Sequence, residues 1–377
     1  MKVLQVGKFY PPHPGGMETV LMNICQAIKD HVELRVLVAN SQARTVREMV
    51  DGVDVLRAAS WGTVAATSVC PTFLYYLKTI KADIVHLHEL NPLATVAYQV
   101  VKPSGKLIVS FHSEWVRQRV LGRVYAPWQQ RMLRLADRIV VSSPPAIEHW
   151  PALATVREKC VVVPFGIDVS YLQDAGRSMV AARAIRRQYG APLLLFVGRV
   201  VYYKGLDVLL KAMREIPARL LIVGDGPLRP QFEQLVERDG LRSKIVWLGE
   251  RPLEELAAFY HACDIFVLPS THKSEAFGMV QLEAMACGKP VVSTNLQSGV
   301  PWVNQDGETG LVVPPNDVGA LVRAIQTLLT DQALRLRLGD GGRRRVAREF
   351  TRERMGQRLL ALYRSVCDAP PARINSE

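Results

Sequence analysis

The sequence lacks an apolar run long enough to cross a bilayer. No stretch of its 377 residues approaches the roughly 20 consecutive apolar residues that a transmembrane helix needs. At the N-terminus, Met1 and Lys2 lead directly into a strand-like segment, without a signal-peptide pattern. The six cysteines are scattered, with no CxxC pair and no histidine at metal-ligand spacing. We therefore expect a cytoplasmic protein whose thiols are reduced and mostly buried.

Acidic residues are too few to balance the basic ones, and the formal net charge is +12. Such an excess indicates an anionic partner, which is nucleic acid, an anionic substrate or an anionic membrane surface. No zinc-ligand pattern, RNP1-like aromatic signature or heptad zipper accompanies the charge. We therefore expect no nucleic-acid partner.

A dinucleotide fingerprint is missing as well. No GxGxxG follows the first strand, and Val38-Ala39-Asn40 ends the second strand without the acidic residue that binds ribose in NAD enzymes. These absences disfavour an NAD-dependent oxidoreductase.

Short apolar strands alternate with helical patterns in two successive series. The first series contains Lys2–Val6, Leu34–Ala39, Val53–Leu56, Ile84–Leu87, Leu107–Phe111, Ile139–Ser142 and Val161–Pro164. The second contains Leu193–Val197, Leu220–Val223, Ile245–Leu248, Ile265–Leu268, Val291–Ser293 and Leu311–Val313. This alternation predicts an α/β protein with two doubly wound, Rossmann-like domains, each a parallel sheet covered by helices on both faces.

The polar, arginine-rich stretch 170–190 separates the two series. We predict an N-terminal domain over 1–170, a C-terminal domain over 171–350, and a C-terminal helix with a frayed tail over 351–377. Ligands of open α/β sheets bind at the carboxyl ends of the strands, so we expect the two domains to face each other across a cleft that holds the site.

The stretch Pro269–Thr294 combines two acids with a glycine at a helix start. Glu275 lies in the loop, and Glu283 falls about one turn into the helix that Gly278 lets begin close to a ligand. Free N–H groups at the helix start attract an anion, whereas carboxylates accept hydrogen bonds from hydroxyls. The combination suits a sugar joined to a diphosphate.

Three further pieces follow predicted strands. Arg199 and Lys204 would place two positive charges opposite a diphosphate. Gly15-Gly16 opens the first helix, and His112 ends another strand. Each has a plainer alternative: surface ion pairs for the cations, a simple turn for the glycines, and a structural hydrogen bond for His112. For Glu275 and Glu283, the alternative interpretation is that they are solvated helix charges.

Together these motifs resemble a retaining glycosyltransferase of the GT-B fold, family 4, over nearly the whole chain. The segments that carry the resemblance are PGGME at 14–18, FHSE at 111–114, GRVVYYKG at 198–205, VGDGPL at 223–228, SEAFGMVQLEAMACGKPVVST at 274–294 and DGETGLVVPPND at 306–317. The two glutamates separated by seven residues are its most specific mark.

The resemblance implies a role for each motif residue. Glu275 would bind hydroxyls of the donor sugar, and Glu283 the ribose hydroxyls of the nucleotide. The sugar and phosphates would be held by backbone groups of Phe277, Gly278, Met279 and Val280. Base contacts would come from the loop that contains Gly249 and Arg251.

The remaining implied roles concern the phosphates and the reaction centre. Arg199 and Lys204 would bind the diphosphate, Gly15 and Gly16 would let the N-terminal loop approach it, and His112 would lie beside the transferred sugar. The first domain would then bind the acceptor and the second the donor, with the last helix crossing back to the first.

The family pattern implies retention at the anomeric carbon through a front-face path, in which the departing phosphate helps deprotonate the acceptor. No carboxylate need attack, unlike in retaining hydrolases. The sequence has no Asp-x-Asp, the metal-binding pattern of the other main glycosyltransferase fold. We therefore expect no bound metal and no cofactor beyond the nucleotide-sugar donor.

Donor and acceptor are inferred by similarity. The run at 298–303 is similar to mannosyltransferases of polysaccharide assembly, which favours GDP-mannose, with UDP-linked glucose or N-acetylglucosamine as the alternative. Two different functions also stay open, a nucleotide-sugar epimerase of the same fold and a noncatalytic binding module. Because many relatives glycosylate lipid-linked acceptors, a polyprenyl-linked or other membrane glycan is the expected acceptor.

Two arginine-rich clusters suggest where an anionic inner leaflet would be contacted. The first interleaves arginines with Trp115, Tyr125 and Trp128, and its arginines are Arg117, Arg119, Arg123, Arg131, Arg134 and Arg138. The second is Arg343-Arg344-Arg345 with Arg348. Solvated helix faces are the alternative for both clusters. We expect peripheral association with the inner face of the plasma membrane.

Overall fold

The computed structural model describes residues 1–13, 15–64, 67–113, 119–173 and 175–369. It divides into two compact units. The first unit combines Met1–Gly166 with Arg352–Glu377, and the second is Ile167–Thr351.

The described residues of the first unit form ten strands. They are β1 (Lys2–Val6), β2 (Glu33–Ala39), β3 (Val46–Val50), β4 (Val53–Ala58), β5 (Thr63–Val64), β6 (Thr67–Ser68), β7 (Ile84–His88), β8 (Lys106–Ser110), β9 (Arg138–Val141) and β10 (Cys160–Val162). Eight of them build one sheet in the order β10-β9-β8-β7-β1-β2-β4-β3, which is parallel except for the antiparallel edge pair β3 and β4. β5 and β6 form a separate antiparallel pair.

Helices connect these strands. They are α1 (Gly16–Ile28), α2 (Pro71–Thr79), α3 (Pro92–Val101), α4 (Arg119–Leu135) and α5 (Pro144–His149), followed by short 3₁₀ turns at Pro151–Leu153 and Arg157–Lys159. Three of them begin with proline, whose fixed φ and missing N–H suit the first helical turn.

The second unit repeats the alternation. Its described strands are β11 (Leu193–Val197), β12 (Arg219–Val223), β13 (Ile245–Gly249), β14 (Ile265–Leu268), β15 (Val291–Thr294) and β16 (Gly310–Val313). They form an all-parallel sheet in the order β13-β12-β11-β14-β15-β16. Strands β11 and β14 are buried along their whole length, as expected for strands covered on both faces.

Helices surround this second sheet. They are α6 (Ser170–Gln173), α7 (Ala175–Tyr189), α8 (Leu206–Ala212), α9 (Arg229–Arg238), α10 (Leu253–Ala262), α11 (Met279–Ala286), α12 (Val300–Val303), α13 (Val318–Thr330) and α14 (Gln332–Glu349), with a 3₁₀ turn at Tyr202–Lys204 before α8. Asp317 and Asp331 cap α13 and α14 by accepting hydrogen bonds from backbone N–H groups.

The last helix, α15 (Arg352–Asp368), belongs to the first unit, where it packs on α1. Gly356 permits this packing, because a Cβ there would lie 2.8 Å from the carbonyl oxygen of Ala27. The helix also inserts the fully buried Tyr363.

The prediction of two doubly wound α/β domains is confirmed. Every predicted strand is present, with ends shifted by at most two residues. The edge strand β3 was not predicted, because its central side chains Arg47, Glu48 and Met49 are exposed and give no apolar pattern. In the part of the chain that the structure describes, no helix is long and apolar enough to cross a membrane.

Candidate functional site

The second unit contains a buried ion pair between Lys204 and Glu275. Lys204 Nζ lies 2.6 Å from Glu275 Oε2, and the two side chains are only 11% and 10% exposed. Ser270 Oγ donates a second hydrogen bond to the same oxygen at 3.0 Å. Lys204 follows β11 and Glu275 follows β14, and these strands are neighbours in the sheet. The sheet order therefore joins two residues that are distant in sequence.

A glycine lets the two loops approach. Gly205 has φ of 67°, and a Cβ there would overlap the carbonyl oxygen of Pro269. A backbone hydrogen bond from Thr271 N to Tyr203 O, 2.8 Å long, ties the same two loops. Position 205 thus requires glycine both for its conformation and for this contact.

The pair keeps Lys204 charged. Burial by itself lowers the pKa of Lys204, but attraction to Glu275 and Tyr203 and the hydrogen bond to Glu275 outweigh burial, so the pKa is raised. Removing either partner would leave the other as an uncompensated buried charge. The cluster therefore holds a permanent cation and a carboxylate side by side.

Arg199 lies outside this ion pair, on a loop that is positioned by backbone contacts. It is exposed, and no carboxylate in the described residues forms an ion pair with it. Its loop is pinned by the hydrogen bond from Val200 N to Asp225 O, 2.9 Å long. Gly224 and Gly226 make room, because a Cβ at either would overlap the Gly198–Val200 backbone. Sequence reasoning missed this supporting role of the two glycines.

The start of α11 has the geometry predicted for a helix that begins near a ligand. Gly278 precedes the helix in the left-handed conformation, with φ of 73°, and a Cβ there would lie 2.7 Å from Leu268 Cδ2. Phe277 is buried against Trp302 and Phe350, which leaves only its backbone for binding. Met279 and Val280 are partly buried in the first turn, where N–H groups lack intrahelical partners.

Glu283 lies on α11, and two tyrosines form hydrogen bonds with its carboxylate. Tyr260 OH donates to Glu283 Oε2 at 2.6 Å, and Tyr171 also hydrogen-bonds the carboxylate. Burial raises the pKa of Glu283, and the two hydrogen bonds partly offset the rise. Sequence reasoning missed both tyrosines, since they come from α6 and α10 and carry no motif of their own.

Gly249 is the last residue of β13, and Arg251 follows two residues later. In the sheet, β12 lies between β13 and β11. Gly249 has φ of 68° and accepts a hydrogen bond from Gly224 N at 2.7 Å. The Arg251 side chain is exposed, and its Nε donates a hydrogen bond to Leu248 O at 3.0 Å. The structure thus does not bring these two residues into the Lys204–Glu275 cluster.

In the first unit, Gly16 is the exposed first residue of α1, with open space around it. The carboxylate of Glu18 folds against Gly15, where a Cβ would overlap it. Burial raises the pKa of Glu18. An acid in the first turn suits the positive end of the helix dipole, and sequence reasoning gave this acid no role.

His112 follows β8 and is buried, with 6% exposure. Its Nε2 lies 2.9 Å from His88 Nδ1, and burial lowers its pKa to about 4, so the ring is neutral at pH 7. Pro14 and Glu114, which complete two of the motifs, lie outside the described residues. That all these residues share one site stays a prediction.

Most described positions of the first basic cluster are exposed. Arg117 and Trp115 lie outside the described residues, and the side chain of Arg119 is not described. Exposed positions of the first cluster are Arg123, Trp128, Arg131, Arg134 and Arg138, whereas Tyr125 is buried.

The second basic cluster is exposed at three of its four positions, and those three arginines are paired with acids. Arg343 and Arg344 both pair with Asp340, and Arg348 pairs with Glu349. Arg345 is buried beneath Trp302, and burial lowers its pKa.

Comparisons with known proteins agree with this architecture. The family described as Glycosyl transferases group 1 matches residues 182–345, and Glycosyltransferase Family 4 matches residues 14–171. The O-antigen chain mannosyltransferase C of Escherichia coli is 31% identical over 98% of this chain and 100% of its own length. The D-rhamnosyltransferase WbpZ of Pseudomonas aeruginosa is 31% identical over 93% of this chain and 92% of its own.

Solved structures share the fold. A sucrose-phosphate synthase from Thermosynechococcus elongatus superposes with a TM-score of 0.81 at 23% identity, covering 97% of this chain and 99% of that one. HepE of Anabaena in complex with UDP superposes with a TM-score of 0.76 at 20% identity, covering 97% and 100%. Fold and matches together define a glycosyltransferase of the GT-B fold. The chain belongs to glycosyltransferase family 4.

Proposed function

We propose that this enzyme is a retaining hexosyltransferase that moves mannose from GDP-mannose onto a lipid-linked glycan of bacterial surface polysaccharide assembly. The support for the sugar is the 31% identity, over nearly the full length of both chains, to an O-antigen chain mannosyltransferase. The second relative at 31% identity is a rhamnosyltransferase, which favours a hexose or deoxyhexose donor.

The observation that carries the proposal is the buried Lys204–Glu275 pair, 2.6 Å apart. An ammonium has three donors and a carboxylate about four acceptor positions, so each keeps free sites after pairing. Glu275 accepts hydrogen bonds from hydroxyls of the transferred sugar, while Lys204 donates to the diphosphate. Arg199 and the N–H groups at the start of α11 supply the remaining positive potential.

Glu283 takes the ribose in this proposal. Tyr260 donates to its Oε2 and Tyr171 also hydrogen-bonds the carboxylate, which leaves about two of its four acceptor positions for two neighbouring hydroxyls. Gly249 and Arg251 contact the base. The distance of these residues from the Lys204–Glu275 cluster in the sheet order suits a ligand that extends from hexose to base.

The reaction breaks the bond between the anomeric carbon and the diphosphate oxygen, and forms a bond from that carbon to the acceptor oxygen on the same face. The acceptor proton passes to the departing phosphate oxygen. Lys204 and Arg199 stabilise the charge that develops on the diphosphate, a type of stabilisation that contributes about 3–4 kcal/mol per donor in other enzymes. No enzyme carboxylate attacks the sugar.

A donor panel tests the proposal directly. The purified enzyme is offered GDP-, UDP- and dTDP-sugars with a lipid-linked glycan acceptor, and nucleoside diphosphate release is measured. GDP-mannose should give the highest kcat/KM, and the product should retain the anomeric configuration by NMR. Preference for UDP-glucose or UDP-N-acetylglucosamine would replace the donor assignment, and conversion of the donor without transfer would indicate an epimerase.

We also propose that transfer needs no metal, because Lys204, Arg199 and the helix start supply the positive charge. Activity should therefore be unchanged by EDTA. A loss that Mg²⁺ or Mn²⁺ restores would contradict this.

For the lipid-linked acceptor, helix α4 offers a membrane-contacting face. Val124, Trp128 and Leu135 are 69%, 40% and 48% exposed and, at spacings of four and seven, lie along one stripe of the helix. Arg131 lies on the same stripe, with further exposed arginines beside it. Basic and apolar groups on one helix face suit an anionic lipid surface, and we propose that this face docks on the inner leaflet.

Vesicle flotation tests the docking. The wild-type protein should float with anionic vesicles at low salt, and Trp128→Ser combined with Arg131→Ser should reduce flotation severalfold. Arg343→Ser with Arg344→Ser is the control, because it removes exposed charge from the other cluster. Equal loss in both variants would indicate a response to net charge alone, and no binding of the wild type would refute the docking.

A further inference from the structure

The first unit buries a continuous row of polar side chains beside His112. All are at most 6% exposed, and they are Gln5 on β1, His86 and His88 on β7, Ser110 on β8, His112 after β8, and Tyr363 on α15. Polar groups buried together in one row need mutual hydrogen bonds to offset desolvation.

Distances connect the row into a single chain. His112 Nε2 lies 2.9 Å from His88 Nδ1, and His88 Nε2 lies 2.9 Å from Gln5 Oε1. Gln5 Nε2 donates to Tyr363 OH at 2.9 Å, and that hydroxyl lies 2.6 Å from His86 Nδ1. His86 Nε2 closes the chain at 2.8 Å from Ser110 Oγ.

The amide of Gln5 determines which nitrogen carries each proton. Since Gln5 Oε1 only accepts, His88 must be protonated at Nε2. A neutral His88 then has a lone pair at Nδ1, so His112 must donate from Nε2. The lone pair of His112 consequently lies at Nδ1, for which the described residues provide no hydrogen-bond partner.

Tyr363 orients that amide. Its hydroxyl accepts from Gln5 Nε2 and donates to His86 Nδ1, so that turning the Gln5 amide over would require every hydrogen bond of the row to reverse together. Burial keeps the imidazoles neutral, lowering the pKa of His86 to about 3 and that of His88 well below its ordinary value. Neutral rings are a condition for the single proton arrangement above.

We propose that His88, Gln5 and Tyr363 are positioning residues that hold His112 as its Nε2–H tautomer, so that Nδ1 accepts a hydrogen bond from a hydroxyl of the transferred sugar. The second half of this statement rests on the proposed function. Tyr363 of the last helix thereby sets the proton position on a ring with which it shares no hydrogen bond in the described residues.

The tautomer can be measured without any substrate. Long-range ¹H–¹⁵N NMR of ¹⁵N-histidine-labelled enzyme distinguishes a protonated from an unprotonated ring nitrogen, and the chain has only eight histidines. His112→Gln assigns the signal. We expect His112 to carry its proton on Nε2 at pH 7; a proton on Nδ1 would overturn the proposal.

Tyr363→Phe tests the role of the last helix, and Tyr98→Phe is the matched control, because Tyr98 is a similarly buried tyrosine of the first unit outside the row. In Tyr363→Phe the His112 signal should show both tautomers, and kcat should fall about five- to tenfold, as for loss of one oriented hydrogen bond. Affinity for the free nucleoside diphosphate should be unchanged.

Tyr98→Phe should change neither signal nor rate. Gln5→Leu is the second variant and should mix the tautomers even if Tyr363→Phe folds poorly. An unchanged Nε2–H tautomer in both row variants would overturn the proposal. If the wild type transferred no sugar, the proposed function would fail, while the NMR result would still decide the tautomer.

Discussion

The two units bury polar side chains in opposite ways. The second unit buries a charged pair, Lys204 and Glu275, in which each ion compensates the other. The first unit buries a neutral row around His88 and His112, held by directional hydrogen bonds. Charge is retained where an anionic diphosphate is proposed to bind, and is absent where the His112 ring is proposed to accept a hydrogen bond from a hydroxyl. Burial alone therefore does not predict the protonation state, because the neighbouring groups also determine it.

Replacing the carboxylate of the charged pair should have the largest effect. Glu275→Gln keeps the size and the bond to Ser270 but removes the charge, and we expect kcat to fall by about 10³-fold. Nucleoside diphosphate binding, measured by calorimetry, should persist. Glu237→Gln, the same change at an exposed ion pair, is the control. Near-normal turnover of Glu275→Gln would refute the sugar-binding role.

The loop contact that supports the pair should also be costly to break. Gly205→Ala meets the Pro269 carbonyl and an unfavourable φ, and we expect it to destabilise the protein by about 3 kcal/mol. Gly240 has nearly the same φ, 65°, but open space around it, so Gly240→Ala should cost about 1 kcal/mol. Urea unfolding measures both. Equal costs would mean that the close approach contributes nothing.

The stabilities of the two units should respond differently to pH, the first falling in acid and the second in alkali. Burial lowers the pKa of His112 to about 4, against about 6.5 in an unfolded chain, so the unfolded state binds the extra proton. The contribution of His112 to the stability of the first unit is therefore full above about pH 6.5 and falls by about 3 kcal/mol towards pH 4.

Lys204 behaves oppositely, because its pKa is raised. Its contribution to the second unit is full below its ordinary pKa near 10.5 and is lost as pH rises through the raised value. Hydrogen exchange read peptide by peptide should show the first unit opening first in acid. His112→Gln should reduce that response, and simultaneous opening of both units at pH 5 would contradict the comparison.

The smallest expected effect concerns Glu283. Tyr260→Phe removes one hydrogen bond to its carboxylate, and we expect KM for the donor to rise about five- to tenfold with kcat nearly unchanged. Tyr75→Phe, at a 64% exposed tyrosine, should have no effect on steady-state kinetics. A fall in kcat with unchanged KM would place Glu283 at the reaction centre rather than on the ribose.

Much of the fold was predictable because each strand of the two large sheets except β3 is a short apolar run. Residues 46–50 were not predicted as a strand, because an edge strand exposes its side chains and gives no apolar pattern. In the candidate site, the glycines and acids were predictable from spacing. Ser270, Tyr260 and Tyr171 were not, because common residue types at unremarkable spacings carry no signal until the fold places them on a carboxylate.

The local features can be read from the sequence: alternating strands and helices, the seven-residue separation of Glu275 and Glu283, and glycines where φ must be positive. Which side chains contact each other depends on the fold. Lys204 reaches Glu275 because β11 lies beside β14, and Tyr363 reaches His86 because α15 packs into the first unit. Strand order and helix docking minimise the free energy of the whole chain, so no local window of sequence contains these contacts.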